Sequence, residues 1–182
     1  MAFLLKKSIV MVGMMGAGKT AVGQALARRL GVDFLDSDEE IVKAANMSIA
    51  EIFTRDGEDF FRDRESEVIG RLLESKRAVL STGGGAFLAR RNRDIISEKG
   101  VSVLLKADLA LLWNRVKHKD TRPLLRTPDP RKTLGEIYAT RAPIYAKADI
   151  AVESRPEYSI EQMCDAVVTA LKSRPDVLEE VT

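Results

Sequence analysis

The feature of this 182-residue chain that most constrains its fold is a glycine-rich octapeptide between an apolar run and a helical pattern. Residues 13–20 read G-M-M-G-A-G-K-T, which matches the pattern G-x-x-x-x-G-K-[ST] at every fixed position. The largely apolar run Ser8–Val12 predicts a strand before it, and Ala21–Leu30 predicts a helix after it. With ordinary residue usage, such a match arises by chance in about one chain of this length in 200. The octapeptide therefore predicts a phosphate-binding loop between a strand and a helix.

The residue types in this loop suit a nucleotide. Glycines let consecutive backbone N–H groups turn inward around an anion without a clash of Cβ atoms. The start of the following helix adds the positive end of its dipole. Lys19 can reach the β- and γ-phosphates, and the Thr20 hydroxyl can ligate Mg²⁺. We expect the nucleotide to contact Gly13, Gly16, Ala17, Gly18, Lys19, Thr20 and Ala21.

Further apolar runs follow along the chain, and stretches with helical periodicity separate them. These runs are Asp33–Leu35, Ala78–Ser81, Val101–Leu105 and Asp149–Val152. Strands that alternate with helices imply parallel βαβ units. We therefore predict an α/β fold in one domain over residues 1–182, with five parallel strands between two layers of helices. The tail Pro175–Thr182 is expected to fray.

Two helix-rich segments, Ser37–Ser75 and Lys117–Ala148, are longer than a crossover between parallel strands requires. Insertions at the ends of strands are where an α/β protein places its substrate apparatus. The second segment begins with a charged stretch that ends at Pro123 and has little to pack against. We predict a substrate-binding insertion at about residues 37–75 and a lid at about residues 117–128.

Composition excludes several classes of protein. Lysine and arginine number 29 against 27 acidic residues, so the net charge is only +2, and no basic stripe is interleaved with aromatic residues. A single cysteine, Cys164, and a single histidine, His118, exclude a disulfide framework and a Cys- or His-based metal site. The apolar stretch Ile9–Gly18 is too short to span a bilayer. We expect a cytoplasmic monomer that binds neither nucleic acid nor a membrane.

The phosphate loop alone does not tell which class of nucleotide-binding protein this is, but the motifs that the sequence lacks exclude some of these classes. The sequence has neither the D-x-x-G nor the N-K-x-D segment of a GTPase. The run Ala78–Ser81 leads into Thr82 and three glycines instead of ending in an acidic residue that orders a metal. Asp36 and Asp38, at the same edge of the predicted sheet, are the obvious alternative source of that carboxylate. Aspartate and serine also favour helix N-caps, so one residue of Asp36-Ser37-Asp38 could cap a helix over Ser37–Ala45.

Six segments between residues 8 and 172 together resemble the shikimate kinases, a family of small P-loop kinases similar to the nucleoside monophosphate kinases. They are Gly13–Thr20, Asp36–Asp38, Phe61-Arg62 with Glu65, Gly83–Gly85, Thr121–Leu125 (T-R-P-L-L) and Arg141–Tyr145 (R-A-P-I-Y). The resemblance implies transfer of the γ-phosphoryl group of ATP to the 3-hydroxyl of shikimate, with Mg²⁺, on the route to aromatic amino acids. Shikimate is a cyclohexene carboxylate with three hydroxyls, so the site needs a grip on a carboxylate and on a hydroxyl.

The resemblance also assigns roles to individual residues. Asp36 would order Mg²⁺ through water, with the Thr20 hydroxyl as a direct ligand. Asp38 would orient the attacking hydroxyl and could accept its proton. Arg62 and Arg141 would bind the substrate carboxylate through paired hydrogen bonds. For Arg62 the alternative is a pair on the helix surface with Glu58 or Glu65.

Three further assignments come from the resemblance. Gly83, Gly84 and Gly85 would let the backbone approach the substrate, although two glycines would already suffice for a strand-to-helix turn. Arg122 in the lid would close over the phosphates and join Lys19 and Asp38 as a catalytic group, unless the lid is merely a solvated loop. Arg115 and Arg155 would frame the adenine. His118 is expected to have no chemical role.

Two other functions stay open on the sequence. Another small-molecule kinase would phosphorylate gluconate or a nucleoside monophosphate and would need a pocket for a sugar acid or a base. A non-catalytic module that senses ATP would bind the nucleotide without releasing ADP in response to an acceptor. Such a sensor would need neither of the carboxylates at Asp36 and Asp38.

Overall fold

A computed structural model describes residues 2–118 and 125–182 of the chain. The strands are β1 (Ala2–Leu5), β2 (Ser8–Val12), β3 (Asp33–Asp36), β4 (Ala78–Ser81), β5 (Gly100–Lys106), β6 (Ile150–Glu153) and β7 (Leu178–Val181). The α-helices are α1 (Lys19–Leu30), α2 (Ser37–Ala45), α3 (Ile49–Asp56), α4 (Glu58–Ser75), α5 (Arg90–Lys99), α6 (Leu109–Val116), α7 (Pro130–Tyr145) and α8 (Ile160–Lys172). A short 3₁₀ helix, Ala86–Leu88, follows β4.

The predicted parallel sheet is confirmed. It has five strands in the order β3-β4-β2-β5-β6. All residues of β2 are buried, and because successive side chains point to opposite faces, both faces of the sheet are covered. Helices α1 and α8 pack together in one helical group, and α4 and α5 pack together in another, with α5 against β5. This is the three-layer α/β/α fold that the alternating pattern predicts.

The strand register brings three chain segments to one edge of the sheet. Asp36 at the end of β3 lies opposite Ser81 at the end of β4, and Met11 of β2 also pairs with Ser81. The phosphate loop after β2, the acidic segment after β3 and the glycines after β4 therefore leave the sheet at the same side. Such a carboxyl edge is the usual place for a ligand in an open parallel sheet.

The predicted fraying of the C-terminal tail is wrong. β7 pairs antiparallel with β1 in a separate two-stranded sheet, with Leu5 opposite Leu178. Val177 and Leu178 are buried, and the Val177 carbonyl accepts a hydrogen bond of 2.7 Å from the Lys6 N–H.

Strand β6 begins one residue later than predicted. The Asp149 carboxylate instead accepts hydrogen bonds from the Ser102 N–H and hydroxyl, at 2.9 and 3.1 Å.

The predicted insertion after β3 contains helices α2, α3 and α4, and the expected helix over Ser37–Ala45 is confirmed. A capping box between Ser48 and Glu51 starts α3, and Gly57 ends it. Residues 119–124, which hold most of the predicted lid, lie outside the described part of the chain. Among the described residues, no helix is both long and apolar enough to cross a bilayer.

Candidate active site

The phosphate loop has the backbone conformation for which glycine is required. Gly13, Gly16 and Gly18 have φ angles of 148°, 82° and 94°, which L-residues rarely adopt. A Cβ atom on Gly16 would also lie 2.8 Å from Cγ1 of Val116 in α6. Inside the loop, the Ala17 N–H donates to the Met14 carbonyl at 3.1 Å. The loop therefore keeps its shape because of both backbone freedom and close packing.

The lysine and threonine of the motif stand at the start of α1. The Lys19 ammonium donates to the Gly13 carbonyl at 2.7 Å, across the mouth of the loop. Thr20 is exposed. No side chain caps the start of α1, and no acidic residue lies in its first turn, so its positive end is left for an anion.

A cavity of about 990 Å³ joins the phosphate loop to the insertion, which is ample for a nucleotide and a small acceptor. One side of it is lined by residues 16–22, and the other side by Arg62, Gly84, Gly85 and Arg141. Most of the residues that the sequence predicts for nucleotide and acceptor therefore face one shared space. The lining does not include the predicted site residues Gly13, Asp36, Asp38, Gly83 and Arg155. Asp38 stands next to Gly83, and the charges of Arg62 and Lys19, which line the cavity, act on it.

Asp36 and Asp38 have different environments although only one residue separates them. Asp36 caps α2, since its Oδ1 accepts from the N–H groups of Asp38 and Glu39 at 2.9 and 3.1 Å. The capping alternative is thus correct for Asp36. Oδ1 of Asp38 is buried and has no hydrogen-bond partner among the described residues.

Burial is the main reason that the pKa of Asp38 rises to about 6, and the like charges of Asp36 and Glu65 add to the rise. The positive charges of Arg62 and Lys19 partly oppose it. Asp38 is therefore a carboxylate that is ionised at neutral pH and has one oxygen that no described residue occupies and that can accept a proton.

The three glycines after β4, here called the glycine turn (Gly83–Gly85), each face a different charged side chain. A Cβ atom built on any of them would meet that side chain at 3.1 Å or less. Such a Cβ would lie 2.7 Å from Asp38 Oδ2 on Gly83, 3.1 Å from Arg141 Nη1 on Gly84 and 2.7 Å from Arg62 Nη2 on Gly85. Besides any approach to a ligand, the missing side chains make room for the very residues predicted to bind substrate. Sequence reasoning missed this pairing.

Arg62 is fixed by a buried acid one helical turn away. Its Nη1 donates to both oxygens of Glu65, at 3.0 and 3.2 Å, and Glu65 is only 1% exposed. Burial raises the pKa of Glu65, and the hydrogen bond from Arg62 opposes that rise. Glu58 lies farther off, at 3.7 Å from Nε. The pair suggested as a surface alternative does form, but it is buried on the side of Glu65 and holds the guanidinium beside Gly85.

Arg141 reaches the glycine turn from α7. Its Nη1 lies 3.4 Å from the Gly84 carbonyl oxygen. Tyr145, one turn further along the helix, donates its hydroxyl to the same carbonyl at 2.8 Å and is 3% exposed. The sequence marks Tyr145 only as the last letter of R-A-P-I-Y. Its spacing of four residues from Arg141, which puts both on one helix face, could have drawn attention to it.

Of the two arginines expected near the adenine, Arg115 contacts the phosphate loop. It donates to the carbonyls of Gly16 and Ala17 at 3.0 and 3.3 Å and to the Ser154 hydroxyl at 3.3 Å, and burial lowers its pKa. Arg155 is exposed, and its guanidinium lies 5.9 Å from the ring centre of Tyr158, which lines the cavity. Arg122 lies outside the described residues.

The oxygen ligands near the phosphate loop suit Mg²⁺. Within residues 2–118 and 125–182, no three acidic, histidine or cysteine side chains come together as a metal site. The hydroxyl of Thr20 stands at the start of α1, and Asp36 ends β3 at the same edge of the sheet, with one of its oxygens already capping α2. Mg²⁺ keeps several waters and is commonly held by one or two carboxylates plus substrate phosphates, so this sparse oxygen set fits it.

Comparisons with known proteins agree with the site. The family model described as shikimate kinase matches residues 15–172. A shikimate kinase of Ruegeria pomeroyi is 70% identical over 178 residues, which cover 98% of this chain and 91% of that protein. A shikimate kinase of Cereibacter sphaeroides is 66% identical over 175 residues, 96% of this chain and 87% of that protein.

Solved structures give the same result. The shikimate kinase from Acinetobacter baumannii in complex with shikimate superposes with a TM-score of 0.83 at 35% identity, over 93% of this chain and 94% of that one. A gluconokinase from Sinorhizobium meliloti has a TM-score of 0.61 at 21% identity, over 93% of each chain. At that identity the second likeness reflects the fold alone.

Proposed function

Because the chain belongs to the shikimate kinase family, we propose a division of labour among its residues in which the phosphate loop holds ATP and the residues around the glycine turn hold the acceptor. The enzyme transfers the γ-phosphoryl group of ATP to the 3-hydroxyl of shikimate and so serves the synthesis of aromatic amino acids. The alternatives, a kinase for gluconate or a nucleoside monophosphate and an ATP sensor, are not favoured.

In the nucleotide half, Gly13 and residues 16–21 surround the β- and γ-phosphates, and Lys19 neutralises the charge that grows during transfer. The Thr20 hydroxyl and Asp36, the latter through water, would hold Mg²⁺, which supplies further neutralisation of the phosphate charge when bound. Arg115 supports the loop through its carbonyls, and Arg115 and Arg155 frame the adenine.

In the acceptor half, the guanidinium groups of Arg62 and Arg141 stand at neighbouring positions of the glycine turn and bind the shikimate carboxylate. Asp38 accepts a hydrogen bond from the 3-hydroxyl and directs its oxygen at the γ-phosphorus. As the new P–O bond forms, the bond from the γ-phosphorus to the bridging oxygen breaks. The hydroxyl proton passes to Asp38 Oδ1, and ADP leaves. The carboxylate form of Asp38 prevails above pH 6 in the free protein, so it can take that proton at neutral pH.

The insertion at residues 37–75 supplies Asp38 and Arg62 and is the substrate-binding part of a single domain. The segment at residues 117–128 would act as the lid, with Arg122 closing over the phosphates. That role stays a prediction, because residues 119–124 lie outside the described residues. We further propose that the enzyme works as a cytoplasmic monomer without nucleic acid or membrane partners, in keeping with its near-neutral net charge of +2.

One observation carries these assignments: each glycine of the turn faces one of the three acceptor residues, Asp38, Arg141 and Arg62. The test is ADP release from ATP and Mg²⁺ with shikimate, with the methyl ester of shikimate, and with gluconate or AMP. We expect strong release with shikimate and a rise in KM of at least tenfold for the ester, because the two arginines lose their charged partner. Equal KM values for acid and ester would refute the carboxylate assignment.

A further inference from the structure

One peptide unit in the acceptor half lies between the two arginines. Its carbonyl belongs to Gly84, which faces Arg141, and its N–H belongs to Gly85, which faces Arg62. The described residues contain no cis peptide bond, so this N–H points away from the direction of the Gly84 carbonyl. Neither the Gly84 nor the Gly85 N–H donates a hydrogen bond to any described residue. Whatever fixes the Gly84 carbonyl therefore also fixes the direction of the Gly85 N–H, which has no acceptor among the described residues.

A peptide between two glycines does not hold its own orientation. Without Cβ atoms, both residues have access to a wide range of backbone angles, and the plane between them turns at little steric cost. Its orientation must then come from contacts. The short contact to the Gly84 carbonyl is the hydroxyl of Tyr145, at 2.8 Å, whereas Arg141 Nη1 lies at 3.4 Å.

Tyr145 is itself well fixed. It is 3% exposed, and its ring stacks on Phe87 with 6.4 Å between ring centres and 21° between planes. Phe87 belongs to the 3₁₀ helix that directly follows the glycine turn. The tyrosine ring is thus packed against the same segment whose carbonyl its hydroxyl binds. Burial raises the pKa of Tyr145, so the hydroxyl keeps its proton and remains a donor.

The Gly84 carbonyl also receives Arg141. Arg141 and Tyr145 lie four residues apart on one face of α7, and both donate to this oxygen, the Tyr145 hydroxyl at 2.8 Å and Arg141 Nη1 at 3.4 Å. One carbonyl oxygen therefore links the hydroxyl and the guanidinium to the glycine turn.

We propose that Tyr145 is a positioning residue for the acceptor. Its hydroxyl orients the Gly84–Gly85 peptide and, through the Gly84 carbonyl that the two side chains share, the Arg141 guanidinium, and it thereby sets the affinity for the substrate carboxylate. This inference rests on the proposed role of Arg141. It assigns Tyr145 no contact with shikimate or ATP. Its effect is confined to the acceptor half, because ATP is held by the phosphate loop on the other side of the cavity.

The test is Tyr145→Phe, which removes one oxygen and keeps the ring on Phe87. The matched control is Tyr138→Phe, the same change at a partly buried position of the same helix. For Tyr145→Phe we expect KM for shikimate, and Kd for shikimate measured by calorimetry without ATP, to rise about tenfold. KM for ATP should stay within twofold, and Tyr138→Phe should change none of these values.

A double substitution separates positioning from simple packing. If Tyr145 acts through Arg141, adding Tyr145→Phe to Arg141→Lys should weaken shikimate binding by less than the product of the two single effects. Suppose that Arg141→Lys impairs shikimate binding as expected. An unchanged KM for shikimate in Tyr145→Phe, or an equal rise in KM for ATP and for shikimate, would then overturn the inference. If Arg141→Lys itself left shikimate binding intact, the proposed function of Arg141 would fail, and the inference with it.

Discussion

Replacing Asp38 with asparagine should stabilise the free protein at neutral pH while it removes most of the activity. Burial and the like charges of Asp36 and Glu65 raise the pKa of Asp38 from an ordinary 3.8 to about 6, even with Arg62 and Lys19 nearby. A shift of about two units corresponds to about 3 kcal/mol of cost for holding the charge in the folded protein. Asparagine has nearly the same shape and no charge, so it avoids that cost.

The sign of the pH dependence follows from the direction of the shift. A group whose pKa is raised on folding binds protons more tightly in the folded than in the unfolded state. The wild-type protein therefore gains stability as pH falls through 6, and the full gain is present below about pH 4. The advantage of Asp38→Asn should fall from about 3 kcal/mol at pH 7.5 to about 1 kcal/mol at pH 4.5.

The assay is thermal unfolding of both proteins without nucleotide or shikimate and with EDTA, at pH 7.5 and 4.5. At pH 7.5 we expect Tm of Asp38→Asn to lie about 6–12 °C above the wild type, and kcat to fall at least about 100-fold. Asp94→Asn is the control, since Asp94 is exposed on α5 and should give no such difference. A Tm gain equal at both pH values, or a loss at pH 7.5, would refute the reasoning.

Three further substitutions test the two halves of the site. Lys19→Ala should lower kcat/KM at least about 100-fold with little change in Tm, and near-normal turnover would exclude its role at the phosphates. Arg62→Lys should raise KM for shikimate about tenfold and leave KM for ATP unchanged, because paired hydrogen bonding is lost while the charge stays; Arg64→Lys on the same helix is the control. Gly85→Ala would place a Cβ 2.7 Å from Arg62 and should raise KM for shikimate. In the control Gly70→Ala the new Cβ meets nothing within 4 Å, so KM for shikimate should not change. Equal KM values in these two variants would contradict the packing argument.

The sequence predicts the parallel sheet well because its signal is local. Each central strand is a short apolar run, because both of its faces must be buried. The ends of the predicted strands differ from those in the structure by one residue at most. Strands β1 and β7 were missed for the opposite reason. β7 reads L-E-E-V, with three exposed residues, and carries no strand pattern of its own. Its structure depends on pairing with β1 at the other end of the chain, which no local window detects.

In the candidate site, too, the parts with a local sequence signal could be predicted and the parts that depend on distant residues could not. The phosphate loop could be read directly, because its glycines, lysine and threonine act within one octapeptide. The glycine turn could not, because its contacts join residues far apart in sequence, such as Gly83 with Asp38 and Gly85 with Arg62. Likewise, the spacing of Arg62 and Glu65 predicts a pair but does not say that Glu65 is buried.

Arg62 has two electrostatic effects in the acceptor half, one on the substrate and one on Asp38. Arg62 is proposed to bind the substrate carboxylate, and in the free protein its positive charge lowers the pKa of Asp38 against the effect of burial. Once a carboxylate binds Arg62, part of that positive charge is neutralised, and Asp38 becomes a better proton acceptor. The Glu65 carboxylate, only 1% exposed, keeps the guanidinium in place in both situations. With Arg62 in the proposed role, binding of the acceptor raises the basicity of Asp38, the group that must take its proton, because the charge of Arg62 acts on both carboxylates.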